Sequence, residues 1–119
     1  MARISTRPSQ LAAFLPEVER AAASRGTVAE LAAHAASGVG WCQLLGAATP
    51  RMLADMAAWL RTAGREHGAW VVFEALPPAL RGHVDPWGFA EPSLRLMRGV
   101  KQALDPTGVF SPGRFVGGL

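Results

Sequence analysis

Apolar and polar positions along this chain follow two rhythms, one of period two and one near 3.6. Residues 2–6 read as a short strand, with Ile4 and Ala2 facing a core. Leu11, Phe14, Leu15, Val18 and Ala22 then recur at the spacing of one helical face. Pro8 suits the first helical position, with Thr6 or Arg7 before it as the cap. Pro16 interrupts that pattern, because it has no N–H to donate and its ring crowds the preceding turn. A kink at Pro16, or a helix that begins near it, is therefore predicted, with Gly26 ending the element. Thr27 to His34 and Gly38 to Gly46 are two moderately apolar runs joined by Ala35-Ala36-Ser37, a pattern that predicts a β-hairpin. The alanine-rich stretch from Ala29 to Ala36 is equally compatible with helix on intrinsic propensity.

The strongest helical pattern comes next. Thr49-Pro50 supplies a cap and a proline at the first helical position. Met52, Met56, Trp59, Leu60 and Ala63 form an apolar stripe that reads as core, and Gly68 marks the stop. Residues 69–76, rich in β-branched and aromatic side chains, read as a buried strand broken by Pro77-Pro78. A loop from Gly82 to Gly88 leads to a last helix starting at Pro92. In it Leu94, Met97, Val100 or Lys101, and Leu104 follow one face, and Asp105-Pro106 stops it. The tail beyond is irregular but carries Val109, Phe110, Phe115 and Val116, so it is expected to pack against something. The order β-α-β-β-α-β predicts an α+β, ferredoxin-like sandwich: a four-stranded antiparallel sheet with helices on one face, plus an extra C-terminal helix and tail. Residues 1–76 would be the core of that domain, and 77–119 the loop, helix and tail.

Composition narrows the possible functions. Half of the 119 residues are apolar and 18% are charged, as in a folded globular protein. No apolar run is long enough to span a membrane and the N-terminus lacks a signal-peptide core, so a cytoplasmic location without direct membrane insertion is expected. The pI near 10.4 comes from arginine-rich composition without tyrosine, and the net charge is only +3. The arginines are scattered, which argues against nucleic acid as a partner. Cys42 is the only cysteine and lies in an apolar run, where a buried, inert thiol is expected. His34, His67 and His83 lack ligand spacing, so no metal site is expected. No nucleophile–base pair and no paired carboxylates at helical spacing are present, so no catalytic residue is assigned.

The C-terminal stretch from Leu96 to Gly118 is the most specific. A helix carrying Lys101 runs into Asp105-Pro106-Thr107-Gly108, then into Ser111-Pro112-Gly113-Arg114. This resembles the C-terminal pattern of FAD-linked oxidases of the vanillyl-alcohol-oxidase type. Val84-Asp-Pro-Trp-Gly88 is similar to the branch that contains the FAD-binding subunit of bacterial glycolate oxidase. The resemblance implies a cap domain with a ferredoxin-like sheet. It also implies FAD bound mainly by an N-terminal domain outside this chain, and a small 2-hydroxy acid as substrate. Sister oxidase subunits would be further partners, and any association with a membrane would be peripheral and through them. The family's tail usually has Asn where Ser111 stands. His34 and Gly38 align with a cap stretch whose acid and second His are missing here, which fits a partner subunit better than the main dehydrogenase. A chain that begins directly on a strand favours a piece of a longer protein.

On that resemblance Ser111, Gly113 and Arg114 are candidate cofactor contacts, and His34 and Trp87 candidate substrate contacts. Each has a plainer alternative. The turn at 111–114 can simply finish the chain, and His34 can be structural. Trp87 can anchor a core or dock a partner. Lys101 can snorkel to solvent or pair with a carboxylate. The competing view of the whole chain is a non-catalytic ferredoxin-like interaction module or partner subunit. A broad exposed apolar patch that includes Phe110, Phe115 and Trp87 would favour a cap separated from its flavin domain.

Overall fold

β1 (Ala2–Ser5) alternates in burial as a strand with one covered face should, with Ala2 and Ile4 buried and Arg3 and Ser5 half-buried. The computed structural model describes residues 1–46, 48–88 and 91–119. After β1 come α1 (Pro8–Ala23), β2 (Val28–His34), β3 (Val39–Leu45), α2 (Pro50–Glu66), β4 (Trp70–Phe73) and α3 (Glu91–Leu104). The sheet order is β2-β3-β1-β4, and every neighbouring pair is antiparallel. This is the ferredoxin-like α+β sandwich that the order of elements predicts.

Register decides which side chains meet. Ala2 pairs with Cys42 and with Phe73, and Ile4 pairs with Gly40 and with Val71, so all of these share one face. That face is covered by Leu11, Phe14, Val18, Ala21 and Ala22 of α1, and by Met56, Ala57, Leu60 and Ala63 of α2. The stripe read from Met52 to Ala63 is thus core through Met56, Leu60 and Ala63, while Trp59 packs against it half-buried. Thr49 caps α2 by accepting from the Met52 amide at 3.2 Å.

Two expectations need correction and one is resolved. α1 begins at Pro8, not near Pro16, and is one helix through Pro16. Pro16 is exposed, while Leu11 and Phe14 before it and Val18 after it are buried on one face. That continuous packing outweighs the backbone hydrogen bond that proline cannot make. β4 stops at Phe73, short of the predicted strand end. The amides of Glu74 and Ala75 both donate to the Met1 carbonyl, at 3.0 and 3.2 Å, so two successive residues share one acceptor and the regular ladder ends. For 29–36, pairing with β3 from Val28↔Leu45 to His34↔Val39 decides in favour of strand.

The chain divides into two compact units, Met1–Pro86 and Trp87–Leu119. Within the first, the segment after β4 is held down at its end. The Pro86 carbonyl accepts from the Phe73 amide at 2.8 Å, and the Arg61 guanidinium donates to Asp85 while lying 4.9 Å from the Phe73 ring centre. Within the second, α3 buries Leu94, and Val116 of the tail is also buried. The remainder of the expected α3 face is not covered. Met97 is half-buried, whereas Val100 is 52% and Leu104 76% exposed. Of the four tail hydrophobics expected to pack, only Val116 is buried. No described helix is long and apolar enough to cross a membrane.

Two predictions follow from the packing of the first unit. Gly38 sits at φ +68° in the β2–β3 connection, its carbonyl accepts from the Thr6 amide at 2.9 Å, and a Cβ there would lie 1.9 Å from the Thr6 carbonyl oxygen. Gly38→Ala must therefore strain its backbone and push β1 away, costing at least about 2 kcal/mol, measured as a fall in denaturation midpoint. Burial pushes the Cys42 thiol up to about 11. At about pH 8 Cys42 should stay unmodified by a thiol reagent in the folded protein and react once guanidinium unfolds it.

Candidate functional site

The last turn of α3 ends in a polar clasp. The Asp105 amide donates to the Lys101 carbonyl at 2.8 Å, and Pro106 then prevents the helix from continuing. A tight turn closes where the Gly108 amide donates to the Asp105 carbonyl at 3.1 Å. The Asp105 side chain, only 4% exposed, points back into that turn. Its two oxygens accept from the Val109 amide at 2.9 Å and the Phe110 amide at 3.0 Å. Lys101 Nζ donates both to the Asp105 carboxylate and to the Phe110 carbonyl, the latter at 2.9 Å. Of the sequence readings for Lys101, which were snorkelling to solvent, pairing with a carboxylate or meeting substrate, the carboxylate pair is present.

This set of donors favours the ionised carboxylate. The Lys101 hydrogen bond comes first, joined by the Phe110 and Val109 amides, and together they outweigh desolvation and lower the Asp105 pKa to about 2.

Beyond the clasp the chain turns sharply. Ser111 has φ +45°, a left-handed conformation that L residues other than Asn, Asp and Gly seldom adopt. The Arg114 amide donates to the Ser111 carbonyl at 3.2 Å and closes the turn. Ser111, Gly113 and Arg114 are all exposed, and a Cβ built on Gly113 would meet nothing within 4 Å. Phe115 follows, with its ring 5.3 Å from that of Trp87 and inclined at 64°. Between α3 and this tail lies a groove of about 580 Å³, lined mainly by apolar residues such as Leu96, Val100, Leu104, Phe110 and Phe115, with Lys101, Asp105, Ser111 and Arg114 also in its lining. Leu96 is 72% and Phe110 71% exposed.

The candidates thus fall into two places. Ser111, Gly113 and Arg114 share one turn, and Trp87 lies against the residue that follows that turn. His34 belongs to the first unit, at the end of β2. Its Nδ1 lies 2.8 Å from Ser37 Oγ, which in turn donates to the His34 carbonyl at 3.2 Å. Those bonds tie the ring into the hairpin connection and support its structural reading. Asp105 was read from sequence as a helix stop and as part of the tail pattern, not as a side chain that binds the amides beyond it. The signal that could have marked it is a lysine four residues upstream on the same helix face, followed by Asp-Pro and a glycine turn.

A second polar cluster fastens α1 to the end of α2. His67 Nε2 is 3.2 Å from Glu17, its Nδ1 is 3.2 Å from Gln10 Oε1, and the ring stacks on Phe14 at 4.9 Å. Among the described residues no group of three or more His, Cys, Asp or Glu could hold a metal ion.

Residues 85–115 match the family of FAD linked oxidases, C-terminal domain. The match takes in α3, the Lys101–Asp105 clasp and the turn from Ser111 to Arg114, and it leaves the sheet with α1 and α2 outside. The likeness is of this C-terminal segment to the C-terminal domain of FAD-linked oxidases. Comparison with curated proteins and with solved structures returned no match.

The residues present fit a share in contacting FAD. The turn offers a hydroxyl, a guanidinium and an open side at Gly113 next to an apolar groove.

The Asp105 clasp carries a pH dependence. Because the folded pKa lies below the unfolded value, the carboxylate's contribution is complete above about pH 4 and is lost as pH falls through about 2. The Asp105 carboxyl resonance should titrate with a midpoint near 2, and the Val109 and Phe110 amide resonances should move with it. A midpoint near the ordinary 3.8 would contradict the clasp.

Proposed function

We propose that this chain is the substrate-side, C-terminal portion of an FAD-dependent oxidoreductase that oxidises a small 2-hydroxy acid, as glycolate oxidase does. The family match over the clasp and turn carries this reading. The exposed apolar groove beside them supports it, because hydrophobic residues as open as Leu96 and Phe110 mark a surface that a partner covers. The patch anticipated from sequence for a separated cap included Phe110, Phe115 and Trp87. Phe110 and Phe115 are exposed, while Trp87 is half-buried.

In this reading FAD, when bound, supplies the two-electron acceptor for the hydride leaving the hydroxyl-bearing carbon. The chain's own residues supply surroundings. Arg114 places a permanent positive charge where negative charge accumulates, and Ser111 offers one hydroxyl as donor or acceptor. The apolar residues of the groove exclude water from the contact. Trp87, braced edge-on by Phe115, forms a rigid wall on the substrate side. A non-catalytic interaction module is the second reading, and it draws on the same exposed residues.

The deciding experiment is the mass and visible spectrum of the native protein containing this chain, followed by anaerobic addition of glycolate or lactate. A species well above 12.6 kDa, carrying a flavin spectrum that bleaches with the 2-hydroxy acid, is expected. A flavin-free species of the chain's own mass, unable to take up added FAD, would establish the interaction module instead.

A further inference from the structure

The Phe110 peptide groups are held from both sides. Its N–H donates to Asp105 at 3.0 Å, and its carbonyl accepts from Lys101 Nζ at 2.9 Å. That carbonyl shares a peptide plane with the Ser111 nitrogen, so fixing it constrains the φ angle of Ser111. Ser111 is also the one described non-glycine residue with positive φ, at +45°. Serine has no intrinsic preference for that conformation, so the surrounding bonds must hold it there. Charge is arranged to the same end. The Lys101 ammonium is met by Asp105, which leaves Arg114 as the cation of the segment from 105 to 115.

We infer that Lys101 and Asp105 are positioning residues, which set the Phe110–Ser111 peptide and thereby aim the turn Ser111–Arg114 at the flavin. This rests on the proposal that the turn lies beside FAD. The clasp contacts no cofactor atom itself. It acts by holding one strained residue, so that Arg114 leaves the turn in a single direction. A preorganised charge of this kind stabilises developing negative charge without rearranging during the reaction.

Two measurements test it. In the chain by itself, hydrogen exchange at the Val109 and Phe110 amides should be slow. Asp105→Ala should speed it at least roughly tenfold, the scale of losing charge-assisted hydrogen bonds. Asp105→Asn should have a smaller effect, and β1 and β3 amides should stay protected in both, showing that the sheet is intact. Fast exchange at 109 and 110 in the unmodified chain would show that no clasp exists.

In the flavoprotein, Arg114→Ala should lower the flavin midpoint potential. Lys101→Met should lower it by part of that amount, and Lys101→Arg should restore it. If Arg114→Ala shifts the potential and Lys101→Met leaves it unchanged, positioning is overturned and the flavin reading of the turn stands. If neither substitution shifts it, both fall.

Discussion

Phe14 has no exposed surface, and its ring lies 6.1 Å from Trp59 and 4.9 Å from His67. It projects from α1 and meets Trp59 of α2 and His67 just beyond the end of α2, in the same cluster as Ile4, Val71 and Phe73. Removing such a side chain costs about 3–5 kcal/mol, comparable to the whole margin of stability of a small domain. The first unit depends on keeping this layer dry. The sheet can offer only alternate residues to it, so parity in β1, β3 and β4 follows from that single requirement. The close approach at Gly38 and the bonds from Met1 to Glu74 and Ala75 are what the strand ends do once that parity is set.

The second unit is organised differently. Among its described residues it buries Leu94 and Val116 and leaves Leu96, Val100, Leu104, Val109, Phe110 and Phe115 exposed. Asp105 gathers two backbone amides and an ammonium, and each donor satisfies an oxygen that would otherwise be costly to bury. The outcome is a short segment with a defined shape and an uncovered apolar flank.

The family match and the clasp occupy the same residues, so the pattern Lys, Asp-Pro, Gly and Pro-Gly-Arg has a physical content. Lysine and aspartate form the clasp, proline ends the helix, and glycine turns the chain so that the carboxylate reaches the amides beyond. Ser111 stands where Asn is usual in the family it resembles. It adopts a left-handed conformation that Asn tolerates more readily, and the bonds on either side of Phe110 compensate.

Much of the fold was legible in the sequence because it depends on local signals. Prolines at Pro8 and Pro50, the Thr49 cap, the helical stripes and the strand–helix order all act over a few residues, and together they select a ferredoxin-like sandwich. The candidate turn at 111–114 was legible too, because its pattern is contiguous. Three things were decided only by tertiary structure. Packing on both sides of Pro16 carried α1 through it, and pairing with β3 made a strand of an alanine-rich run that propensity left open. The third is the role of Asp105: a carboxylate beside proline reads as a helix stop until the chain folds back and brings two amides and a lysine to it. Local sequence sets what a residue tends to do alone, and burial together with hydrogen bonds across the fold sets what it does among its neighbours.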